Sequence, residues 1–133
     1  MLTVKINSFS YKKSGIPIDN TSNGGCYVFD CRFIYNPGRK PEFKDLTGLD
    51  EKVINFLDKD DIMQNFLEKV SDIVDMAIED YLERNFTNLM VNFGCTGGQH
   101  RSVYSAEKLK THLIDKYNLK INVIVSHNDI NID

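Results

Sequence analysis

Residues 90–103 limit the possible fold and function of this chain more than any other segment does. An apolar stretch ends at Gly94, a cysteine, a threonine and two glycines follow, and His100 opens an amphipathic helix. The first backbone N–H groups of a helix have no partner within it, and the helix dipole places partial positive charge there. Glycines allow the backbone to approach an anion closely. The planar guanidinium of Arg101 can donate two hydrogen bonds to phosphate oxygens. This order of features therefore predicts an anion-binding loop.

Length and composition predict a single domain over residues 1–133. The chain is 41% hydrophobic and 26% charged, which suffices for one core. Its net charge of −3 argues against a domain built mainly to coat nucleic acid.

No apolar stretch is long enough to span a membrane, and the N-terminus lacks a signal-peptide core. Three cysteines without a Cys-x-x-Cys pair predict neither disulfides nor zinc. We therefore expect a reduced, cytoplasmic setting, with no metal and no cofactor.

Hydrophobic periodicity predicts an α/β fold, with a mixed or mostly parallel sheet flanked by helices. In the first half, the pattern predicts a strand at 2–6, a polar loop at 8–23, a buried strand at 27–33 and irregular structure at 36–48. In the second half, it predicts a helix at 62–82 capped by Asp60, a strand at 89–93, a helix from Gln99 that ends at Asn118, and a strand at 121–125 followed by a polar tail.

The second half thus contains a strand–phosphate loop–helix–strand unit, which implies parallel strands. In such sheets ligands bind beyond the carboxyl ends of the strands, where residues 95–101 would lie. Asp30 and Arg32 would reach the same crevice if their strand runs parallel. For Asp30 two readings stay open, a ligand acceptor and a structural pair with Arg32.

Five short segments in order along the chain carry a family resemblance. The longest is Gly-Cys-Thr-Gly-Gly-Gln-His-Arg-Ser-Val at 94–103, and the others are 8–13 with 15–17, 29–33 with 36–37, 41–43 and 46–50. Together they make the chain resemble the C-terminal domain of the RapZ family of bacterial RNase adapter proteins. Full members of the family also carry an N-terminal domain with a Walker-type phosphate loop. This sequence has no such pattern, so ATP or GTP chemistry is not implied.

The resemblance implies a regulatory domain that senses glucosamine-6-phosphate or UDP-GlcNAc. Some members also bind a small RNA and contact an endoribonuclease, so these are further candidate partners. The family's pocket maps onto Asp30, Cys95, Thr96, Gly97, Gly98, His100 and Arg101, and the loop itself adds Gln99 and Ser102. Gln99 stands where many relatives have lysine, and Asn128 interrupts a common His-Arg-Asp pattern. Each departure removes a cation, which weakens the case for RNA as a partner.

Other readings of the same residues remain open. Cys95, Arg101 and Ser102 also have the Cys-x5-Arg-Ser spacing of cysteine-dependent phosphatases, in which a thiolate at a helix N-terminus attacks phosphorus. We expect binding rather than catalysis, because the longer string matches a sensor family. The rim of the site could include Arg32, Lys12 and His127, and the basic residues Lys13, Arg39 and Lys40. The apolar stripe at 62–82 is read as core packing, with a homodimer face as the alternative.

Overall fold

The computed structural model describes residues 1–22 and 26–130. The strands of this part of the chain are β1 (Leu2–Ser10), β2 (Cys26–Asp30), β3 (Asn88–Cys95) and β4 (Ile121–His127). The helices are α1 (Glu51–Asp58), α2 (Asp61–Glu83) and α3 (Arg101–Tyr117), with short 3-10 turns at Pro37–Arg39, Pro41–Phe43 and Asn118–Lys120. The strands lie in the order β2-β3-β1-β4, and every pair is parallel. The predicted α/β class with a parallel sheet is confirmed.

Helices cover the face of the sheet to which the alternate apolar residues of the strands point. Val4 and Ile6 of β1 lie beside Leu89 and Val91 of β3, and all four are buried. Helix α3 packs on β1, β3 and β4. Helix α2 reaches the same face through Phe66, whose ring makes edge contacts with neighbouring phenylalanines of β2 and β3. The apolar residues that alternate along the strands and those that recur every three or four positions in α2 therefore pack in one core.

Several predicted boundaries shift for local reasons. The first strand continues to Ser10, so the predicted loop at 8–23 begins later, because Ser8 and Ser10 satisfy their hydroxyls within the fold. The end of that loop, Asn23, lies outside the described residues, as do residues 131–133 of the tail. The strand predicted at 27–33 stops at Asp30, because this carboxylate accepts a hydrogen bond from Arg32 N at 2.8 Å and turns the chain.

The helix ends agree with the sequence pattern, although one helix was not predicted. Asp60 caps α2 by accepting from Met63 N at 2.9 Å. Asn118 ends α3 with a positive φ of 50°. Helix α1, at Glu51–Asp58, is an element that the periodicity did not reveal. None of the helices in the described part of the chain is long and apolar enough to cross a membrane.

The parallel register brings the carboxyl ends of the strands to one edge. Ser10 pairs with Cys95, Asp30 pairs with Gly94, and Ser8 pairs with His127. The loop between β3 and α3 leaves the sheet at this edge, which is the position expected for a ligand site in a parallel α/β sheet.

Candidate functional site

The loop at 96–100 is held by contacts that leave its inner side open. Ser10 Oγ donates to the carbonyl oxygen of Thr96 at 2.6 Å. Gly98 has a φ of +64°, and a Cβ there would lie 2.9 Å from Ser10 N, so a side chain would be both strained and crowded. His100 occupies the N-cap of α3 without a side-chain hydrogen bond to the first turn. The amides at the start of α3 therefore lack a side-chain cap and can serve a ligand oxygen.

A facing segment, residues 36–50, forms the other wall of the site. Gln99 Nε2 donates to the carbonyl oxygens of Lys44 at 2.8 Å and of Leu46 at 2.6 Å. The His100 ring places Nε2 2.8 Å from the carbonyl oxygen of Phe43. Burial lowers the pKa of His100 below its ordinary value, so the neutral ring donates from Nε2 to this carbonyl. Gln99 and His100 therefore hold the facing segment in place.

Arg101 is the most constrained polar side chain of the site. It is only 4% exposed. Its Nη1 donates to the carbonyl oxygens of Ile34 at 2.8 Å, Arg32 at 2.9 Å and Cys31 at 3.4 Å. Its Nε is buried and has no hydrogen-bond partner within residues 1–22 and 26–130. Three carbonyls thus fix the orientation of the guanidinium, while a buried donor is left over, and an unpaired buried donor is costly unless something pairs with it.

Two cavities adjoin at Arg101. The loop cavity, of about 220 Å³, is lined by Cys95, Thr96, Gly97, Gln99, His100 and Arg101 and, across from them, by Asn36, Gly38 and Lys44. The arginine cavity, of about 270 Å³, is lined by Arg32, Arg39 and Arg101 with Phe33, Ile34, Tyr35, Asn36 and Thr96. Among the described residues, neither lining contains a carboxylate, although the whole chain is net negative. Both cavities are therefore suited to anions.

A larger cavity, of about 380 Å³, lies elsewhere, between β2 and α2. Its lining is almost entirely apolar, with Asn65 and Lys69 as its polar members. Ligand sites combine apolar walls with a few converging polar groups, and here such groups do not converge. No cluster of three or more His, Cys, Asp or Glu side chains able to hold a metal ion occurs within residues 1–22 and 26–130. The loop cavity is therefore the site whose chemistry can be specified.

Comparison with known proteins identifies the family. A profile of the RapZ C-terminal domain matches residues 2–131. The chain belongs to this family. It is 42% identical over 127 residues to a nucleotide-binding protein of Bacillus cytotoxicus, and 40% identical over 128 residues to one of Thermotoga sp. strain RQ2. These matches cover 96% of this chain but 40% and 42% of the relatives. The chain thus spans about two fifths of the length of these curated relatives, and the family resemblance seen in the sequence is confirmed.

In this RapZ C-terminal domain, the predicted loop residues divide between the cavity and its support. Cys95, Thr96, Gly97, Gln99, His100 and Arg101 line the loop cavity. Gly98 packs against β1 instead. Ser102 is fully buried, and its Oγ lies 3.1 Å from Cys95 Sγ. Cys95 itself is only 2% exposed, although it is among the residues that line the loop cavity.

Asp30, predicted as a ligand-binding residue, and the predicted rim residues lie in different places. Asp30 lines neither cavity and is paired with Arg32 at 2.7 Å, and this hydrogen bond holds the pKa of Asp30 below its ordinary value. Arg32 lines the arginine cavity. Lys12 lies in the turn after β1, away from both linings. The His127 side chain is 4% exposed and bridges Ser8 Oγ and Glu107, each at 2.7 Å.

The sequence reasoning did not single out three residues of the site. Asn36, Gly38 and Lys44 complete the loop cavity from the facing segment. The available signal was the length of the irregular stretch at 36–48, since long loops in compact domains are often functional. That signal locates a segment, but it does not tell which of its side chains face the site.

Proposed function

We propose that this domain is a regulatory sensor that binds a phosphorylated amino sugar, such as glucosamine-6-phosphate or UDP-GlcNAc, in the loop cavity. The single observation that carries the proposal is Arg101. Its guanidinium is oriented by three carbonyls and retains a buried Nε that has no partner among the residues that the structure describes. A phosphate oxygen would pair with that donor in a charge-assisted hydrogen bond. The amino-sugar identity of the ligand follows from the family resemblance.

The electrostatics of the lining support an anionic ligand. Lys44 and Arg101 both line the loop cavity, and Lys44 has no carboxylate partner within the described part of the chain. The start of α3 adds the positive end of the helix dipole. The cavity volume of about 220 Å³ lies below the roughly 300–1,000 Å³ usual for drug-sized ligands. The phosphorylated part of a metabolite fits these properties, and the remainder of a sugar nucleotide would extend outside the loop cavity.

The same lining favours binding over hydrolysis. A cysteine-dependent phosphatase needs an accessible thiolate and an acid that protonates the leaving group. Cys95 is buried against Ser102, and in the part of the chain that the structure describes no Asp or Glu lines either cavity. The curated relatives are named nucleotide-binding proteins, which is compatible with a sugar nucleotide as the ligand.

The proposal is tested by isothermal titration with glucosamine-6-phosphate and UDP-GlcNAc. We expect saturable binding to the unaltered domain and at least tenfold weaker binding to Arg101→Lys. This variant keeps the positive charge but lacks the planar guanidinium with its several donors. Lys44→Ala weakens binding without touching the buried core. Arg84→Ala removes an exposed arginine at the far end of α2 and serves as the matched control, with unchanged affinity.

Two results would overturn the proposal. One is the absence of saturable binding by either sugar phosphate. The other is equal affinity in the unaltered domain, Arg101→Lys and Lys44→Ala. Because Lys44 is not part of the core, its variant separates a lost ligand contact from a damaged fold. Sulfate, titrated in parallel, shows how much of any signal comes from a generic anion.

A further inference from the structure

The three arginines of the arginine cavity differ in what already engages them. Arg32 gives Nε and Nη2 to Asp30, so its charge is largely neutralised. Arg101 uses Nη1 on carbonyls. Arg39 has no carboxylate partner within residues 1–22 and 26–130, and its guanidinium lies 5.9 Å from the centre of the Tyr35 ring. Arg39 is therefore the cation of this cavity whose charge is least compensated.

Arg39 is carried by a turn that is fixed relative to the loop cavity. Asn36 Oδ1 accepts from Gly38 N at 2.9 Å, and Arg39 N donates to the carbonyl oxygen of Asn36 at 3.1 Å. A Cβ on Gly38 would lie 3.4 Å from His100 Cε1, so the turn packs closely against the residue that precedes Arg101. Arg39 and Arg101 thus belong to one framework rather than to independent loops.

The two cavities are neighbours. Asn36, Thr96 and Arg101 line both of them, so an anion bound in one would lie beside an anion bound in the other. A single phosphoryl group can occupy only one of these positions. Two phosphoryl groups joined through a bridging oxygen would offer one anionic group to each cavity.

We propose that the arginine cavity is a second anion subsite, in which Arg39 selects ligands that carry two linked phosphoryl groups, as sugar diphosphates and nucleoside-diphosphate sugars do. This inference rests on the proposed function, because it places the first phosphoryl group in the loop cavity. Arg39 contacts the second group, and Arg101, whose side chain lines both cavities, contacts the first. A ligand with one phosphoryl group leaves Arg39 in solvent.

The test compares one and two phosphoryl groups in matched titrations. Inorganic phosphate is compared with pyrophosphate, and glucosamine-6-phosphate with UDP-GlcNAc, at constant pH and ionic strength. For the unaltered domain we expect the diphosphate of each pair to bind at least tenfold more tightly. Arg39→Ala abolishes this preference, a loss of about tenfold or about 1.4 kcal/mol, and leaves the affinity for the monophosphates unchanged. Arg84→Ala, which removes an equal charge elsewhere, keeps the preference.

Each other outcome contradicts a defined part of the account. Equal affinity for both members of a pair, or an Arg39→Ala effect of the same size on both members, overturns the second subsite while the proposed function stands. An equal effect of Arg84→Ala shows that only the overall charge matters, and this also overturns it. Binding that is independent of Arg101 overturns the proposed function, and failure of every probe to bind overturns both.

Discussion

Arg101 Nη1 lies 2.8 Å from the carbonyl oxygen of Ile34, which joins the first residue of α3 to the segment that follows β2. The same nitrogen donates to the carbonyl oxygens of Cys31 and Arg32. Arg101 is buried and lines both cavities, so one guanidinium joins these segments at the sheet edge and is also the group that we propose for ligand binding.

Arg101→Met should therefore destabilise the domain as well as remove the anion site. The substitution leaves the carbonyls of Cys31, Arg32 and Ile34 without their donor, and each unpaired buried acceptor carries a penalty. We expect the free energy of unfolding to fall by about 3 kcal/mol, measured by urea denaturation. A loss no larger than that of Arg84→Ala would show that these hydrogen bonds do not matter to stability.

Gly48→Ala should disrupt the packing of the facing segment, residues 36–50, against the start of α3. A Cβ at this position would lie 2.5 Å from both the carbonyl oxygen of His100 and Tyr104 N, and backbone atoms cannot move aside cheaply. We expect a loss of about 2 kcal/mol in urea denaturation, typical of overpacking. Gly97→Ala is the matched control, because a Cβ there meets nothing within 4 Å. Equal stability of the two variants would contradict the close packing of this segment.

Asp75 should make the domain lose stability in acid. Burial raises the pKa of Asp75, but hydrogen bonds from Lys116 and His112 more than offset this, and the pKa lies below its ordinary value of 3.8. Between the two values the unfolded chain binds more protons, so stability is present above pH 3.8 and declines as the pH falls through the folded value. We expect Asp75→Asn to be less stable by about 2 kcal/mol at neutral pH and to lack this acid dependence. Urea midpoints from pH 2 to 7 test it, and parallel curves for both proteins would contradict it.

His100 should produce a second pH dependence, near neutrality. Burial lowers the pKa of His100 below its ordinary value of 6.5. As the pH falls through 6.5 the unfolded chain takes up a proton that the folded domain resists, so stability declines on acidification. His100→Gln has no such group and should show a flatter dependence of the urea midpoint between pH 7.5 and 5. His112 and His127 are present in both proteins, so the difference reports on His100 alone. An unchanged slope would count against a neutral, buried ring.

The sequence predicted the fold where local patterns are strong. The spacing in α2, the Asp60 cap and the alternation in β1 each specify an element by short-range rules. Helix α1 was missed because it has only 8 residues, too few for periodicity to stand out. Ser10 was assigned to a loop because it is polar. In the structure it belongs to β1, and its hydroxyl donates to the carbonyl oxygen of Thr96, a partner that is distant in sequence.

From the sequence, only the part of the candidate site that lies in one contiguous segment, the loop at 95–101, could be predicted. The loop at 95–101 carries its own glycines, cysteine and arginine, and of these Cys95, Gly97 and Arg101 line a cavity, whereas Gly98 does not. The opposite wall comes from Asn36, Gly38 and Lys44, which tertiary folding brings there through contacts such as Gln99 to Lys44. Asp30 could be read from sequence as a ligand or as a partner of Arg32, and only the three-dimensional arrangement reveals that pair.

The most direct test of the central claim is the side-chain Nε–H resonance of Arg101 in a ¹⁵N correlation spectrum, assigned by its absence in Arg101→Lys. This donor is buried and has no partner in the described parts of the chain, 1–22 and 26–130. Titration with glucosamine-6-phosphate should shift the resonance in a saturable manner, together with the amides of Thr96 and Gly97, and leave Arg84 Nε–H unmoved. Saturable binding that leaves Arg101 Nε–H unchanged would place the ligand elsewhere and contradict the account.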